Sequence, residues 1–432
     1  MNKCRCARLN SFPAHRQTSE EKLLAIALAA KAFLILAALL TLQSIVALRD
    51  GYRFLRFVRK ARGAPPGDYS PYSALIIPCK GVDSDLEDNL RQFLSQDYPK
   101  YQVILAVASP NDPAHEYLRA IVEQSAGSSG PKTTLVVAGY ADNRGEKVNN
   151  LLRGLSAVDP AAEVLVFADA DARPAHDWLR SLVAPLADPK VLVSTGFRWY
   201  LPSVGLVSQL RAAWDTSIAT LLGDHDHNFA WGGSMAIRTA DFRRLQVAER
   251  YWANTVSDDY ALTRAARDAG GLIRFEPRCL VASREDSSLG EFLRWSNRQI
   301  IITRVYAPHL WRLGLAAHVL YCGTLLLGVA MLALPGVPLS WRGVIVALLA
   351  AILALGMAKA RLRSIAAREM FPEEGPVLAR YNARYWQLAP LVPWVMLFNF
   401  LVAGFTRRIE WRGTHYELRS RDEVRVLRRE SS

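Results

Sequence analysis

The sequence predicts an α/β domain, a parallel sheet with helices on both faces, held between an N-terminal membrane anchor and a C-terminal group of apolar helices. Three observations carry this expectation. The apolar residues of the 432-residue chain are concentrated at its two ends, although its mean hydropathy is only +0.06. The region between alternates short aliphatic runs with polar-then-amphipathic stretches. Acidic residues gather directly behind those aliphatic runs. Composition narrows the class further. With 51% hydrophobic residues the chain is too apolar to be disordered, and five cysteines make no disulfide framework.

Residues 1–22 read as a short basic tail. Leu23 to Leu48 is almost wholly aliphatic, broken by Lys31 and a few polar residues. A helix needs about 20 apolar residues to cross a bilayer, so this segment can span. It is too long for the apolar part of a signal peptide and lacks a small-residue cleavage site behind it, which makes it an uncleaved anchor. Arg53, Arg56 and Lys60 follow on one helical face, suited to anionic headgroups. Ala64-Pro65-Pro66-Gly67 is a linker opening a water-soluble domain over residues 64–310.

Beyond that domain, Leu313 to Leu334 carries no charged side chain, and Gly343 to Ala358 is a second apolar run. Leu388 to Phe405 is a third and contains Pro390, Pro393 and Asn399. Basic residues are dense between 359 and 386 and again in the tail 406–432, so both should be cytoplasmic. Three full crossings would put that tail outside. A transmembrane hairpin over 313–358, with 388–405 as a re-entrant or in-plane element, keeps both basic segments inside.

The centre reads in order. Ala74 to Ile77 is a strand, and Ser84 to Gln96 a helix with Ser84 as its cap. Val103 to Val107 is a strand, 113–124 a helix, Thr134 to Val137 a strand, Glu146 to Ser156 a helix and Val164 to Phe167 a strand. Ligands of such sheets bind beyond the carboxyl ends of the strands. Asp112 follows the second strand; Asp169 and Asp171 follow the fourth. Carboxylates at i and i+2 point to one side of an extended chain. A hard divalent cation sits commonly on one or two carboxylates plus substrate phosphates, so a metal-bridged nucleotide diphosphate fits. The competing reading is a polar loop with helix-capping aspartates.

Ser257-Asp258-Asp259-Tyr260 opens a further helix, with Ser257 or Asp258 as its N-cap. Apolar residues from Gly205 to Leu222 recur at helical spacing, which predicts a core helix; the alternative is a helix in the bilayer interface, helped by Trp214. Asp224-His225-Asp226-His227 offers no tetrahedral shell and reads as a polar loop near the acceptor site. Cys4 and Cys6 form a lone C-x-C, and Cys79, Cys279 and Cys322 read as reduced.

The order of these segments is itself informative. Pro78-Cys-Lys-Gly-Val-Asp83, Gln96-Asp-Tyr-Pro-Lys-Tyr101 and Asn111-Asp-Pro-Ala114 are followed by Lys147-Val-Asn-Asn-Leu151, Asp169-Ala-Asp171 and Asp258-Asp-Tyr260. Trp411-Arg-Gly-Thr-His-Tyr416 closes the series. From Pro78 to Tyr416 the chain resembles the ceramide glucosyltransferase family, inverting enzymes with a Rossmann-like nucleotide-diphospho-sugar transferase domain of the GT-A type.

The resemblance implies a nucleotide-sugar donor such as UDP-glucose, a divalent metal (Mg2+ or Mn2+), and a ceramide-like lipid acceptor at a membrane, hence a part in glycosphingolipid synthesis. It maps the family's first aspartate to Asp112, the second to Asp169 and the third to Asp259, with Lys80 and Lys147 near the donor. Asp259 is then the general base, while Asp171 and Asp169 hold the metal. Animal members have a small residue where this chain has Asp171. The family's later Gln/Arg-x-x-Arg-Trp signature has two registers here. One is Glu291-Phe-Leu-Arg294-Trp295; the other runs from Trp295 to Arg298-Gln299. Trp295 with Arg294 or Arg298 would border the acceptor or the diphosphate.

The catalytic domain is expected on the cytoplasmic face, at the inner membrane in a bacterium. Competing activities are transfer to a polyprenyl phosphate and processive polysaccharide synthesis. A competing class is a non-catalytic membrane scaffold that binds nucleotide. The net charge of +13 also admits a nucleic-acid binder, but the basic residues flank apolar spans and no nucleic-acid motif is present.

Overall fold

The computed structural model describes residues 14–83, 85–127 and 130–430. Ser84, expected to cap a helix, and the pair Cys4 and Cys6 lie outside the described residues. Helix α1 (Ala14–Gly63) runs unbroken through the expected anchor and the basic segment behind it, ending where the Ala64–Gly67 linker begins. The domain then proceeds through β1 (Ser73–Cys79), α2 (Leu86–Leu94), β2 (Tyr101–Val107), α3 (Pro113–Ser125), β3 (Lys132–Val137), α4 (Glu146–Gly154) and β4 (Val164–Ala168). Every one of these had been expected from the sequence, with ends shifted by a few residues.

The remaining elements are α5 (Trp178–Val183), β5 (Val191–Tyr200), α6 (Leu206–Ala219), β6 (Ser234–Arg238), α7 (Thr239–Arg244), α8 (Asp258–Asp268), β7 (Leu272–Ser283) and α9 (Leu289–Tyr306). The seven strands form one sheet in the order β3-β2-β1-β4-β6-β5-β7. β1, β2, β3 and β4 pair in parallel, as do β5 and β7, so the sheet is mainly parallel as expected. β6 runs antiparallel to both β4 and β5. That reversal brings residues 231–233, just ahead of β6, to the carboxyl end of β4, where the ligand of a parallel sheet is expected.

Both faces of the sheet are covered, which explains the unbroken aliphatic runs of its central strands. On one face Leu75, Val103 and Val166 meet Leu90, Phe93 and Trp178 of α2 and α5. On the other, Ile76, Ile104 and Phe167 meet Val148, Leu151 and Leu262 of α4 and α8.

Beyond the domain lie α10 (Pro308–Ala333), α11 (Leu339–Met370), α12 (Gly375–Gln387) and α13 (Val392–Phe405). Among the described residues four helical stretches are long and apolar enough to cross a membrane: Leu24–Gly63, Pro308–Ala333, Leu339–Met370 and Ala383–Phe405. In the last of these a short turn at Ala389–Leu391 separates α12 from the 14 residues of α13. At 1.5 Å per residue α13 alone is about 21 Å long. Phe33 and Leu40 of α1 pack with Ile345, Leu349 and Ile352 of α11. Lower down, Phe54 of α1 stacks between Trp199 and Phe275 of the sheet, 6.3 Å from each ring.

Helix α6 is the core helix its spacing predicts, with Trp214 only 1% exposed. Trp214 Nε1 donates to Asn399 Oδ1 of α13 at 3.1 Å. The Asn399 amide then donates to Ser296 Oγ (3.0 Å) and Asn297 Oδ1 (2.7 Å) of α9. One buried polar knot thereby ties the domain to the last apolar helix.

The segment expected to be a basic tail is instead folded. β8 (Arg408–Trp411), β9 (Thr414–Ser420) and β10 (Glu423–Arg429) form an antiparallel sheet. Ile409, Tyr416, Leu418 and Val424 are buried while arginines fill many of the outward positions, so a two-residue period lay beneath the basic composition. The sheet docks on the domain: Val426 N donates to Asp142 O at 3.0 Å, and Arg264 pairs with Asp422 at 2.6 Å.

Candidate active site

A cleft of about 470 Å³ opens at the carboxyl ends of β1 and β4. At its floor the Lys147 ammonium lies 2.8 Å from Asp169 Oδ1 and 3.1 Å from Asp258 Oδ2. Lys147 stands in the first turn of α4 because that helix begins at Gly145, whose N–H donates to Thr255 O at 2.9 Å. This bond stitches the start of α4 to the segment leading into α8. Burial opposes the Lys147 charge, but the carboxylates of Asp169, Asp258 and Asp259 outweigh it and hold the pKa above the ordinary lysine value. Burial pushes Asp258 up to about 6, against the pull of Lys147. Gly232 leaves room for this pair: a Cβ there would lie 2.4 Å from Asp258 Oδ2 and 2.6 Å from Lys147 Nζ.

Asp171 faces a second cation. Arg198, at the end of β5, holds its two oxygens at 2.5 and 3.1 Å and lies 3.6 Å from Asp169. The Arg198 guanidinium is 5.4 Å from the Trp231 ring centroid. Burial alone would raise the Asp171 carboxyl, but Arg198, Arg412 and Lys147 hold it well below the usual carboxylate range. Arg412 comes from the folded C-terminal sheet. With Gly413 it forms the two-residue turn between β8 and β9, at φ of 46° and 73°. Paired left-handed residues suit the tightest hairpin turn, and glycine meets that demand without strain. The turn aims Arg412 at Lys80 O (2.7 Å), Asp83 (2.8 Å) and Asp171 (3.7 Å).

Asp169 and Asp171 supply the oxygen ligands that a hard divalent cation prefers, and two carboxylates suffice when phosphates complete the shell. Their oxygens are at present engaged by Lys147 and Arg198. Among the described residues no three His, Cys, Asp or Glu side chains gather as a metal group. The pair fits a divalent cation whose remaining ligands would be phosphate oxygens, with Asp169 and Asp171 as the residues that would hold it.

Asp259 stands at the mouth of the same cleft, in the first turn of α8. Its Oδ1 accepts from Ser257 Oγ and from Tyr260 N, while Oδ2 meets Gly232 N at 3.4 Å. Ser257, not Asp258, is the N-cap. Lys80 borders the cleft and pairs with Glu146 at 3.0 Å. Asp112 does not line it. One of its oxygens caps α3 through Ala114 N (2.9 Å) and receives Gly81 N (2.8 Å), so it braces the loop carrying Lys80.

The two registers of the Arg-Trp signature separate on α9. Glu291 forms a capping box with Ser288, and Arg294 is exposed and lies outside the cleft lining. Trp295 and Arg298 line it, one helical turn apart. Burial weighs against the Arg298 charge, lowering its pKa to about 10, and no carboxylate pairs with it among the described residues. It donates to Glu410 O at 3.2 Å and lies 5.3 Å from the Trp411 ring centroid.

Sequence reasoning missed Arg198, Arg211, Asp215, Trp231 and Gly232, which line the cleft as isolated residues with no local pattern. Arg412 lay within the Trp-Arg-x-x-x-Tyr stretch, but its role in the cleft depends on the fold of the tail. The run from Asp224 to His227 sits in an exposed loop whose acids approach Arg274, away from the cleft. Cys79, Cys279 and Cys322 are free and buried. A larger cavity of about 1380 Å³ shares Asp171, Glu285 and Arg412 with the cleft and reaches Val58 of α1 and Met370 of α11.

The sequence model of glycosyl transferase family 21 matches residues 35–424. The chain belongs to this family. The transferase is 32% identical, over 88 residues, to a ceramide glucosyltransferase of Komagataella phaffii (strain GS115 / ATCC 20864). That match covers 19% of this chain and 16% of the relative's length. Among solved structures, the mannosyltransferase from Pyrobaculum calidifontis in complex with GDP-Man and Mn2+ is similar, with 18% identity and a TM-score of 0.44, over 86% of this chain and 97% of that one. The glucosyl-3-phosphoglycerate synthase from Mycobacterium tuberculosis, solved with Mn2+ and UDP-Glc, has 16% identity and a TM-score of 0.34, over 58% of this chain and 82% of that one. The domain of this transferase has a mainly parallel sheet, with its cleft at the carboxyl ends of β1 and β4.

Proposed function

We propose that this glycosyltransferase moves a hexose, glucose, from a nucleotide diphosphate such as UDP to the hydroxyl of a ceramide-like lipid, with inversion. The observation that carries the reading is that one cleft contains the Asp169–Asp171 pair, Lys147, Asp259 and Arg298, which has no carboxylate partner among the described residues, while its α6 and α9 walls are bonded to the apolar helix α13. The partial likeness to a ceramide glucosyltransferase supports the acceptor class.

Lys147 and Arg298 offer positive charge to the donor diphosphate, one as a point charge and one as a planar fork. Asp169 and Asp171 would hold a divalent cation, Mg2+ or Mn2+, which when bound offsets charge on the departing diphosphate. Asp259 takes the proton of the acceptor hydroxyl as that oxygen attacks the anomeric carbon. Its Oδ2 is the less engaged oxygen and the one that would receive the proton. Attack opposite the leaving diphosphate turns an α-linked donor into a β-linked product. Trp295 and Tyr200, whose rings are 5.6 Å apart, wall the acceptor side.

Docking of the β8–β10 sheet on the domain supports an even number of crossings between residues 310 and 406. We therefore read α10 and α11 as a hairpin and α13, about 9 Å shorter than the roughly 30 Å bilayer core, as a re-entrant element. The basic residues beside the spans favour the cytoplasmic face for the domain. The test incubates membranes containing the protein with a panel of labelled nucleotide sugars and analyses the lipid extract. Label in a single-sugar, alkali-stable lipid is expected. Label in a long polymer or in a lipid phosphate overturns the reading.

A further inference from the structure

One acid of the cleft has neither a part in the transfer chemistry nor an ion-pair partner among the described residues, whereas Asp83, Glu146, Asp258 and Glu285 are each paired with a cation. Asp215 of α6 lines the cleft and is only 5% exposed. Its Oδ2 has no hydrogen-bond partner among the described residues. The nearby cations are committed elsewhere: Arg198 to Asp171, and Arg211 to Glu285 and the Tyr200 hydroxyl. Arg211 is also packed against Tyr200 and Trp295, at 4.4 and 4.5 Å from their centroids. A buried polar oxygen left without a donor is costly, and native structures rarely keep one without a use for it.

The residues on either side of Asp215 locate it. Trp214 bonds to Asn399 of α13, and Thr216 shares a hydrogen bond with Tyr385 of α12. Asp215 thus lies where the helix joining the domain to the apolar segments enters the cleft. Trp214, Ile218 and Trp295 supply apolar surface around it. We propose that Asp215 is a specificity residue that accepts a hydrogen bond from a neutral donor on the acceptor headgroup, a hydroxyl or an amide N–H. The inference rests on the reading of the acceptor as a lipid and sharpens it. An acid at this point welcomes a hydroxylated or amide-bearing headgroup and repels a lipid phosphate. Burial pushes the Asp215 carboxyl up to about 7, and a donor from the acceptor would favour its ionised form.

The test compares wild type, Asp215→Asn and the near-isosteric Asp215→Leu on ceramide, on ceramide O-methylated at the headgroup hydroxyl that does not receive the sugar or N-methylated at the amide, and on polyprenyl phosphate. Nucleotide binding reports the fold of each variant. In Asp215→Leu the acceptor KM should rise about 10- to 100-fold, the range for a lost hydrogen bond to a charged group, with the donor KM within about twofold. Asp215→Asn, which keeps a neutral acceptor, should recover part of that loss.

In wild type, methylating one headgroup donor should cost a similar factor, and the same methylation should cost Asp215→Leu little more, since the partner is already gone. If Asp215→Leu does not fold, the methylated series on wild type and Asp215→Asn still decides, with a smaller penalty expected in the variant. Use of polyprenyl phosphate should rise in Asp215→Asn. Equal use of parent and methylated lipids by wild type overturns the proposal, as does an unchanged acceptor KM in both variants. If wild type labels no lipid from any donor, the acceptor reading itself fails and this inference falls with it.

Discussion

Arg198 grips both carboxylate oxygens of Asp171, at 2.5 and 3.1 Å, in the place where a donor diphosphate and its cation are expected. The guanidinium is thus the counterion of Asp171 within the cleft. If Asp169 and Asp171 hold a cation, Arg198 would compete with it for Asp171, and a donor diphosphate would offer Arg198 another partner. Arg198→Gln should therefore tighten Mn2+ binding in the absence of nucleotide by about tenfold, equivalent to about 1.4 kcal/mol. Mn2+ titration followed by electron paramagnetic resonance measures this. Unchanged affinity would show that the arginine does not compete.

The base assignment has a direct check. Asp259→Asn should reduce turnover by about 10²- to 10⁴-fold, the usual range for a positioned proton acceptor. Nucleotide affinity should change little, because Asp169, Asp171, Lys147 and Arg298 remain. Single-turnover transfer and equilibrium binding of the nucleotide separate the two effects. Near-full turnover in the variant would require another base.

The first half of the sheet was legible because β1, β2 and β4 are buried on both faces and read as aliphatic runs between helices, and the edge strand β3, only partly buried, still carries the short run Leu135-Val-Val137. Asp169, Asp171 and Asp259 were legible for a related reason: acids at strand ends and at a helix start stand out against apolar neighbours. Arg198 and Asp215 were not, since each acquires meaning only from what the fold brings against it. The C-terminal sheet was hidden by composition. Its arginines dominate the segment, and the alternation of Ile409, Tyr416, Leu418 and Val424 spans three short strands.

Gly232 supplies a steric prediction. A methyl group at this position would intrude between Lys147 and Asp258. Gly232→Ala should therefore cut turnover more than about tenfold by parting two groups that only close approach holds together. The change sits in a loop before β6, so the sheet should survive. Circular dichroism should match wild type while activity is lost. Wild-type activity in Gly232→Ala would mean that the pair tolerates a shift.

Asp215 also sets a stability trend with pH. Its folded pKa of about 7 lies above the usual carboxylate value, with burial as the largest cause; Arg198, a backbone hydrogen bond at Tyr200 and Arg211 pull it down, and Glu285 pushes it up. Between about pH 4 and pH 7 the folded chain keeps a proton that the unfolded chain has released. Stability from this group is thus fully present at low pH, declines as pH rises through that window, and is flat above it. The decline is on the order of a few kcal/mol, since each pKa unit is worth about 1.4 kcal/mol. Asp215→Asn removes the titration. Relative to wild type, the variant should gain melting temperature between pH 5 and pH 8 by roughly 3 °C, read by intrinsic fluorescence in detergent. Saturating acceptor should narrow that gap, because a donated hydrogen bond favours the ionised form in wild type. A gap that stays constant across this range would mean that Asp215 is solvated, and it would remove the unpaired Oδ2 on which acceptor selection depends.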